Sequence, residues 1–144
     1  MIELKGDIWE EAKKANGWVV IPTNGYINVY NECVMGRGLA LQAKQKFPKL
    51  SRELAQRIRI AGNQVYIFSE YKIITFPVKH VWFERANIKL IERSCEELLR
   101  IFSNNPPLIN EPVFMPHVGC GNGGLDWSYV RRIVIPYFEE LVDM

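Results

Sequence analysis

A chain of 144 residues, 48% hydrophobic and 24% charged, has enough apolar material for a self-sufficient core, and its composition excludes a disordered tail or a membrane protein. A formal charge of +2 is too small to argue for nucleic acid by itself, so a mixed surface with local basic patches is expected. Cys33, Cys95 and Cys120 are odd in number and widely spaced. They suggest neither a disulfide framework nor a metal motif, and point to a reducing, cytoplasmic setting.

In chain order, a first strand is expected at Ile2–Lys5, with no apolar signal-peptide core before it. Asp7 can cap a short helix over Ile8–Ala15. Trp18–Thr23 begins with four apolar residues in a row, the mark of a strand covered on both faces. Leu39, Ala40, Ala43 and Phe47 recur at helical spacing and stop at Pro48. Ser51 can cap a helix running to Ala61, ended by Gly62.

Gln64–Phe68 and Lys72–Phe76 read as strands, and Asn87 can cap the longest helix. That helix has one apolar stripe: Ile88, Ile91, Cys95, Leu98, Leu99 and Phe102. Asn104–Pro107 reads as a loop inside one domain spanning residues 1–144, because too few residues follow it for another. Val113–Met115 is a last strand. Asp126 can cap a final helix running toward Phe138, with a kink or break at Pro136. Strands alternating with helices predict an α/β fold, a sandwich with helices on both faces of the sheet. No run of residues is long and apolar enough to cross a membrane.

Two glycine-bearing turns stand between strands and helices. The first, Cys33-Val34-Met35-Gly36-Arg37-Gly38, directly precedes the Leu39 helix. Its glycines permit a close backbone approach, and the helix start offers unpaired N–H groups suited to phosphate. A plain structural turn is the alternative. The second, Gly119-Cys120-Gly121-Asn122-Gly123-Gly124, follows the Val113–Met115 strand. Four glycines in six residues resist explanation by packing alone, and a second phosphate cradle is the functional reading. Two such turns suit a diphosphate.

The second turn matches Gly-x-Gly-x-x-Gly, but the chain ends 20 residues after Gly124. That leaves no room for the strand and acidic residue a dinucleotide fold requires. The first turn lacks the Gly-Lys-Ser/Thr ending of a P-loop.

With their neighbours, these turns resemble the macrodomain family over nearly the whole chain. The resemblance rests on Lys5-Gly6-Asp7-Ile8, on Val20-Ile21-Pro22-Thr23-Asn24-Gly25, on Val34 to Ala40 and on Pro116 to Trp127. It implies a three-layer α/β/α sandwich with a mixed sheet that binds ADP-ribose or an ADP-ribosylated macromolecule, DNA among them, with no cofactor and no metal.

Met-Gly-Arg-Gly, Lys46-Phe47-Pro48, Phe76-Pro77-Val78-Lys79 and Gly119 to Trp127 look like the lysine-dependent branch. That branch holds terminal ADP-ribose glycohydrolases and antitoxin-type enzymes acting on DNA. The resemblance makes Lys79 catalytic. It assigns Asp7 and Ile8 to the adenine side and Asn24 to the ribose side. Val34, Met35, Gly36, Arg37, Gly38 and Leu39 fall on one phosphate turn. Gly119, Cys120, Gly121, Asn122, Gly123, Gly124 and Leu125 fall on the other, with Pro77 and Trp82 beside Lys79.

Three positions depart from the pattern: Pro22-Thr23-Asn24-Gly25 replaces the usual asparagine-rich stretch, Gly123 stands where the terminal glycohydrolases have an acid, and His80-Val81 separates Lys79 from Trp82.

Each residue also has a plainer reading. Lys79 can be a solvated lysine, although strand C-termini line ligand crevices in α/β sheets. Asp126 reads first as a helix cap. Cys120 is either an activated thiol near a helix start or a small residue fitting beneath phosphate. Tyr26, Trp82 and Phe83 can wall a pocket or pack in a core. His80 and His117 lack metal spacing. Three rival functions stay open: a non-catalytic reader of ADP-ribose, a phosphatase of ADP-ribose 1''-phosphate, and a generic nucleotide-binding domain.

Overall fold

The computed structural model describes residues 6–104 and 110–142. The expected strand at Ile2–Lys5 and the Asn105–Pro107 part of the expected loop lie outside them. Among the described residues the order is α1 (Ile8–Ala15), β1 (Trp18–Thr23), α2 (Gly38–Lys46), α3 (Leu50–Ala61), β2 (Tyr66–Phe68), β3 (Ile73–Pro77), α4 (Ile88–Asn104), β4 (Val113–Phe114) and α5 (Trp127–Val142), with a 3-10 turn at Gly121–Gly123.

The sheet is mixed, in the order β2-β3-β1-β4. β1 pairs in parallel with β3, Val19 opposite Ile73, and with β4, Trp18 opposite Val113. β2 runs antiparallel to β3. The apolar run of β1 therefore occupies the sheet interior, as its sequence requires.

Alternation along the strands sorts the core into two layers. Val19, Ile21 and Ile73 face Ala12, Ala43, Leu50 and Leu54 of the first three helices. Val20, Ile74 and Phe76 face Ile91, Cys95, Leu98, Val130 and Val134 of α4 and α5. The architecture is the expected α/β/α sandwich.

Local chemistry explains most helix ends. Asp7 Oδ1 accepts from the N–H groups of Trp9 and Glu10 at 2.8 and 3.2 Å. Asn87 Oδ1 accepts from Leu90 N–H at 3.2 Å, and Asp126 Oδ1 from Ser128 N–H at 3.2 Å. Two expectations change. The cap position of α3 belongs to Lys49, whose side chain makes no capping bond. Ser51 is buried within the first turn and donates to Glu32 at 3.2 Å. Pro136 does not break α5, which continues to Val142; packing of Val134 and Phe138 against α4 outweighs the missing N–H.

Candidate functional site

The site is built where the parallel strands end. β1 stops at Thr23 and β3 at Pro77, and Thr23 C=O accepts from the N–H groups of Val78 and Lys79 at 2.9 and 3.4 Å. Lys79 thus emerges at the C-terminal edge of the sheet, where α/β folds bind ligands. The next peptides are clamped from two sides. Asn63 Nδ2 donates to Lys79 C=O at 3.0 Å, and Gly25 N–H donates to His80 C=O at 3.0 Å. A Cβ on Gly25 would stand 2.7 Å from the Asn63 side chain, so only glycine lets this pair close. The Arg93 guanidinium donates to Asn63 C=O from behind.

Lys79 Nζ donates to Trp82 C=O and to Asn122 C=O, each at a long 3.3 Å. Partial burial, and then the charge of Arg37, hold its amine below the usual lysine range. A Cβ on Gly38 would lie 3.3 Å from Asn122 Nδ2. The two glycine turns are therefore neighbours, and Lys79 sits against both.

Their free donors complement each other. Arg37 occupies the cap position of α2 without a side-chain capping bond, and the first turn of α2 holds no acid. Among the described residues, the N–H groups of Gly38, Leu39 and Ala40 have no backbone acceptor, the usual condition of an uncapped helix start. In the second turn, Gly123, Gly124 and Leu125 give their N–H groups to carbonyls of the turn itself, and Cys120 gives its own to His117 C=O just before it. Gly121 and Asn122 find no backbone acceptor among the described residues. Both sets of amides suit an anion.

Several candidates also serve the frame. Met35 is 2% exposed and belongs to the core under α2. Asn24 donates from Nδ2 to Val34 C=O at 2.9 Å and accepts at Oδ1 from Tyr26 N–H at 2.9 Å, so its amide shapes the first turn. Pro77 is buried, and its carbonyl accepts from Ser94 Oγ at 2.7 Å. Two of the four glycines are in fact explained by packing. A Cβ on Gly119 would stand 2.6 Å from Ile91 Cδ1, and one on Gly123 would stand 3.0 Å from Ala86 Cβ. Burial and the nearby Asp126 raise the Cys120 thiol, which argues against the activated-thiol reading.

Trp82 is half-exposed, its ring edge-on to Phe83 at 5.4 Å. His117 stacks on Trp127 at 3.9 Å, a packing role. Asp7 and Ile8 stand at the start of α1. Asp7 lines a shallow recess of about 370 Å³ with Trp9, Gln42, Gln45 and Lys46. α2 joins that recess to Gly38, a span of roughly 6–12 Å at helical rise. No group of His, Cys, Asp and Glu fit to hold a metal occurs among the described residues.

Solved structures share the fold that carries this arrangement. The macrodomain of Mycobacterium tuberculosis DarG superposes with a TM-score of 0.76 at 25% identity, over 97% of this chain and 90% of that one. The chain has the macrodomain fold. This macrodomain also matches curated relatives described as DNA ADP-ribosyl glycohydrolases. One, from M. tuberculosis, is 29% identical over 133 residues, and one, from Thermus aquaticus, is 25% identical over 130. These matches cover 85% and 83% of this chain, but 37% and 35% of the relatives, so the macrodomain spans little more than a third of their length. A Thermosipho africanus DarTG structure in complex with ADP-ribose shares the fold, with a TM-score of 0.71 at 22% identity, over 85% of this chain and 35% of that one. No family model matches the chain. Its likeness within the macrodomains lies with the antitoxin-type branch.

Sequence reasoning missed Asn63. It follows Gly62, which ends the helix, and only the Gly25 contact and the Lys79 carbonyl reveal its task. An unexplained glycine after Asn24 was the one available hint.

Proposed function

We propose that this macrodomain binds ADP-ribose and hydrolyses the ADP-ribosyl bond of modified DNA, with Lys79 as the catalytic residue. The observation that carries the reading is the meeting of two uncapped amide sets beside one partly desolvated lysine. The turns at Gly36–Leu39 and Gly121–Asn122 would cradle the diphosphate. Asp7 retains a carboxylate oxygen beyond the one used in capping, which can accept from an adenine amino group.

Lys79 Nζ would then face the distal sugar. A neutral amine can add to the anomeric carbon as the bond to the target breaks and its electron pair leaves with the base; water later releases the sugar. Alternatively, a protonated amine stabilises charge on the departing group. The relatives act on DNA by their names, which favours a nucleotide base as the target. Three free thiols fit a reducing compartment such as the cytoplasm.

Calorimetric titration with ADP-ribose and turnover of ADP-ribosylated DNA, run on the parent and on Lys79→Ala, test the proposal. The variant should keep its ADP-ribose affinity and lose about 100-fold or more in turnover. A parent that binds ADP-ribose but never releases it from DNA would instead be a reader.

A further inference from the structure

Beside the site, residues Tyr26–Val34 form a hairpin whose tip, residues 27–32, none of the assigned roles uses. It closes through an Ile27–Cys33 bridge and a Val34 N–H bond to Tyr26 C=O at 3.1 Å. Its tip is held in one shape. Asn28 Oδ1 accepts from the N–H groups of Tyr30 and Glu32 at 2.9 and 3.1 Å. Asn31 adopts a left-handed conformation, and its Oδ1 accepts from Arg59 Nη2 of α3 at 2.6 Å.

A tip so fixed nevertheless exposes its apolar residues, with Val29 at 89% and Tyr30 at 73%. A fixed backbone that presents an aromatic ring to water gains no burial from it, so a partner is the natural explanation.

Charge identifies the partner. From Gly36 to Asn63 the sequence carries seven Lys or Arg and one acid, Glu53, although the whole chain has a net charge of only +2. Three of these basic residues border the hairpin. Lys44 and Arg52 both pair with Glu32 at 3.3 and 3.5 Å, two cations on one carboxylate, and Arg59 holds the tip. At its root, Gly25 N–H bonds His80 C=O, which joins the segment carrying exposed Tyr26 to the segment carrying Lys79 and exposed Phe83.

Exposed rings interleaved with cations suit a single nucleic-acid strand, whose bases offer their faces. A duplex hides those faces in its stack. We propose that the Tyr26–Val34 hairpin, with Arg59 behind it and exposed Phe83 beside Trp82 near Lys79, is a docking surface for single-stranded DNA leading to Lys79. The inference deepens the DNA reading of the same site and rests on it for its biological meaning, though not for its test.

The experiment measures fluorescence anisotropy of a short, labelled, unmodified single-stranded oligodeoxynucleotide against the parent, Tyr30→Ala and Arg59→Ala. The parent should bind, more weakly as salt rises. Tyr30→Ala should lower affinity about 5- to 100-fold, and Arg59→Ala should lower it while flattening the salt dependence. ADP-ribose affinity, read by calorimetry, should stay unchanged in both variants.

Tyr30 is exposed and its side chain supports no other group, so that variant keeps its fold. Three results would overturn the inference: no binding by the parent, as a protein-docking surface would give; equal binding by Tyr30→Ala; or equal binding of duplex. A parent that binds the strand but not ADP-ribose would refute the proposed function while leaving this surface standing.

Discussion

The two ends of the sheet solve the problem of buried polar groups differently. At the end where β1 begins, Glu111 Oε2 accepts from Trp18 Nε1 at 2.7 Å and pairs with Lys72 Nζ at 2.8 Å, and Lys72 also donates to Asn16 C=O at 2.9 Å. Gly17 fits so tightly that a Cβ would lie 2.7 Å from Pro112 C=O. Donors and acceptors there are matched and the chain is closed. At the opposite end, the start of α2 has no side-chain cap, amides of the 3-10 turn have no backbone acceptor among the described residues, and Lys79 makes only two long bonds. Unmatched donors at one end, beside the matched Trp18, Glu111 and Lys72 at the other, support the proposal that a ligand completes the structure at the first. Substitutions at the open end should therefore change turnover more than stability, and those at the closed end the reverse.

The largest effect short of removing Lys79 itself should come from Asn63→Ala. It deletes the donor to Lys79 C=O and lets the lysine stem drift. A displacement of this kind costs about 10- to 100-fold in turnover. The Lys79 amine, followed by carbon NMR of its side chain through a pH titration, should change its titration in the same variant. ADP-ribose affinity should hold. Parallel losses in affinity and turnover would mean that Asn63 merely supports the fold.

Next in size is Arg37→Ala. The Arg37 charge is the second cause, after burial, holding the Lys79 amine low. Removing a neighbouring cation favours the protonated lysine, so its titration must move up. If the neutral amine is the reactive form, the alkaline-rising limb of the pH–rate profile moves to higher pH with it. A limb that stays in place would separate Lys79 ionisation from the reaction.

Much of this contrast was legible in the residues. The apolar run of Trp18–Ile21 declared an interior strand, and Asp7, Asn87 and Asp126 declared helix starts, because those signals are local. What could not be read was whether a glycine serves packing or a ligand. Gly119 and Gly123 answer to Ile91 and Ala86 on distant segments, whereas nothing stands within 4 Å of an added Cβ at Gly121. Met35 looked like part of a phosphate turn, yet its side chain enters the core under α2. Asn63 was invisible for the same reason: its partners, Gly25 and Lys79, are brought to it only by the parallel pairing of β1 with β3.

The smallest effect should come from Glu111→Gln, at the closed end. Bonds from Lys72 and then Trp18 hold the Glu111 carboxyl below the usual carboxylate range. A group with a lowered folded pKa stabilises the fold above its unfolded value and loses that contribution as pH falls through the folded one. The carboxylate is well solvated, so the neutral amide should lower the denaturation midpoint only slightly at neutral pH. In acid, where the parent carboxyl is itself protonated, the difference should vanish. Turnover should not change, because nothing at this end touches Lys79 or the glycine turns. A drop in turnover without a drop in stability would show that the two ends of the sheet are coupled, and that the division between a closed frame and an open site is wrong.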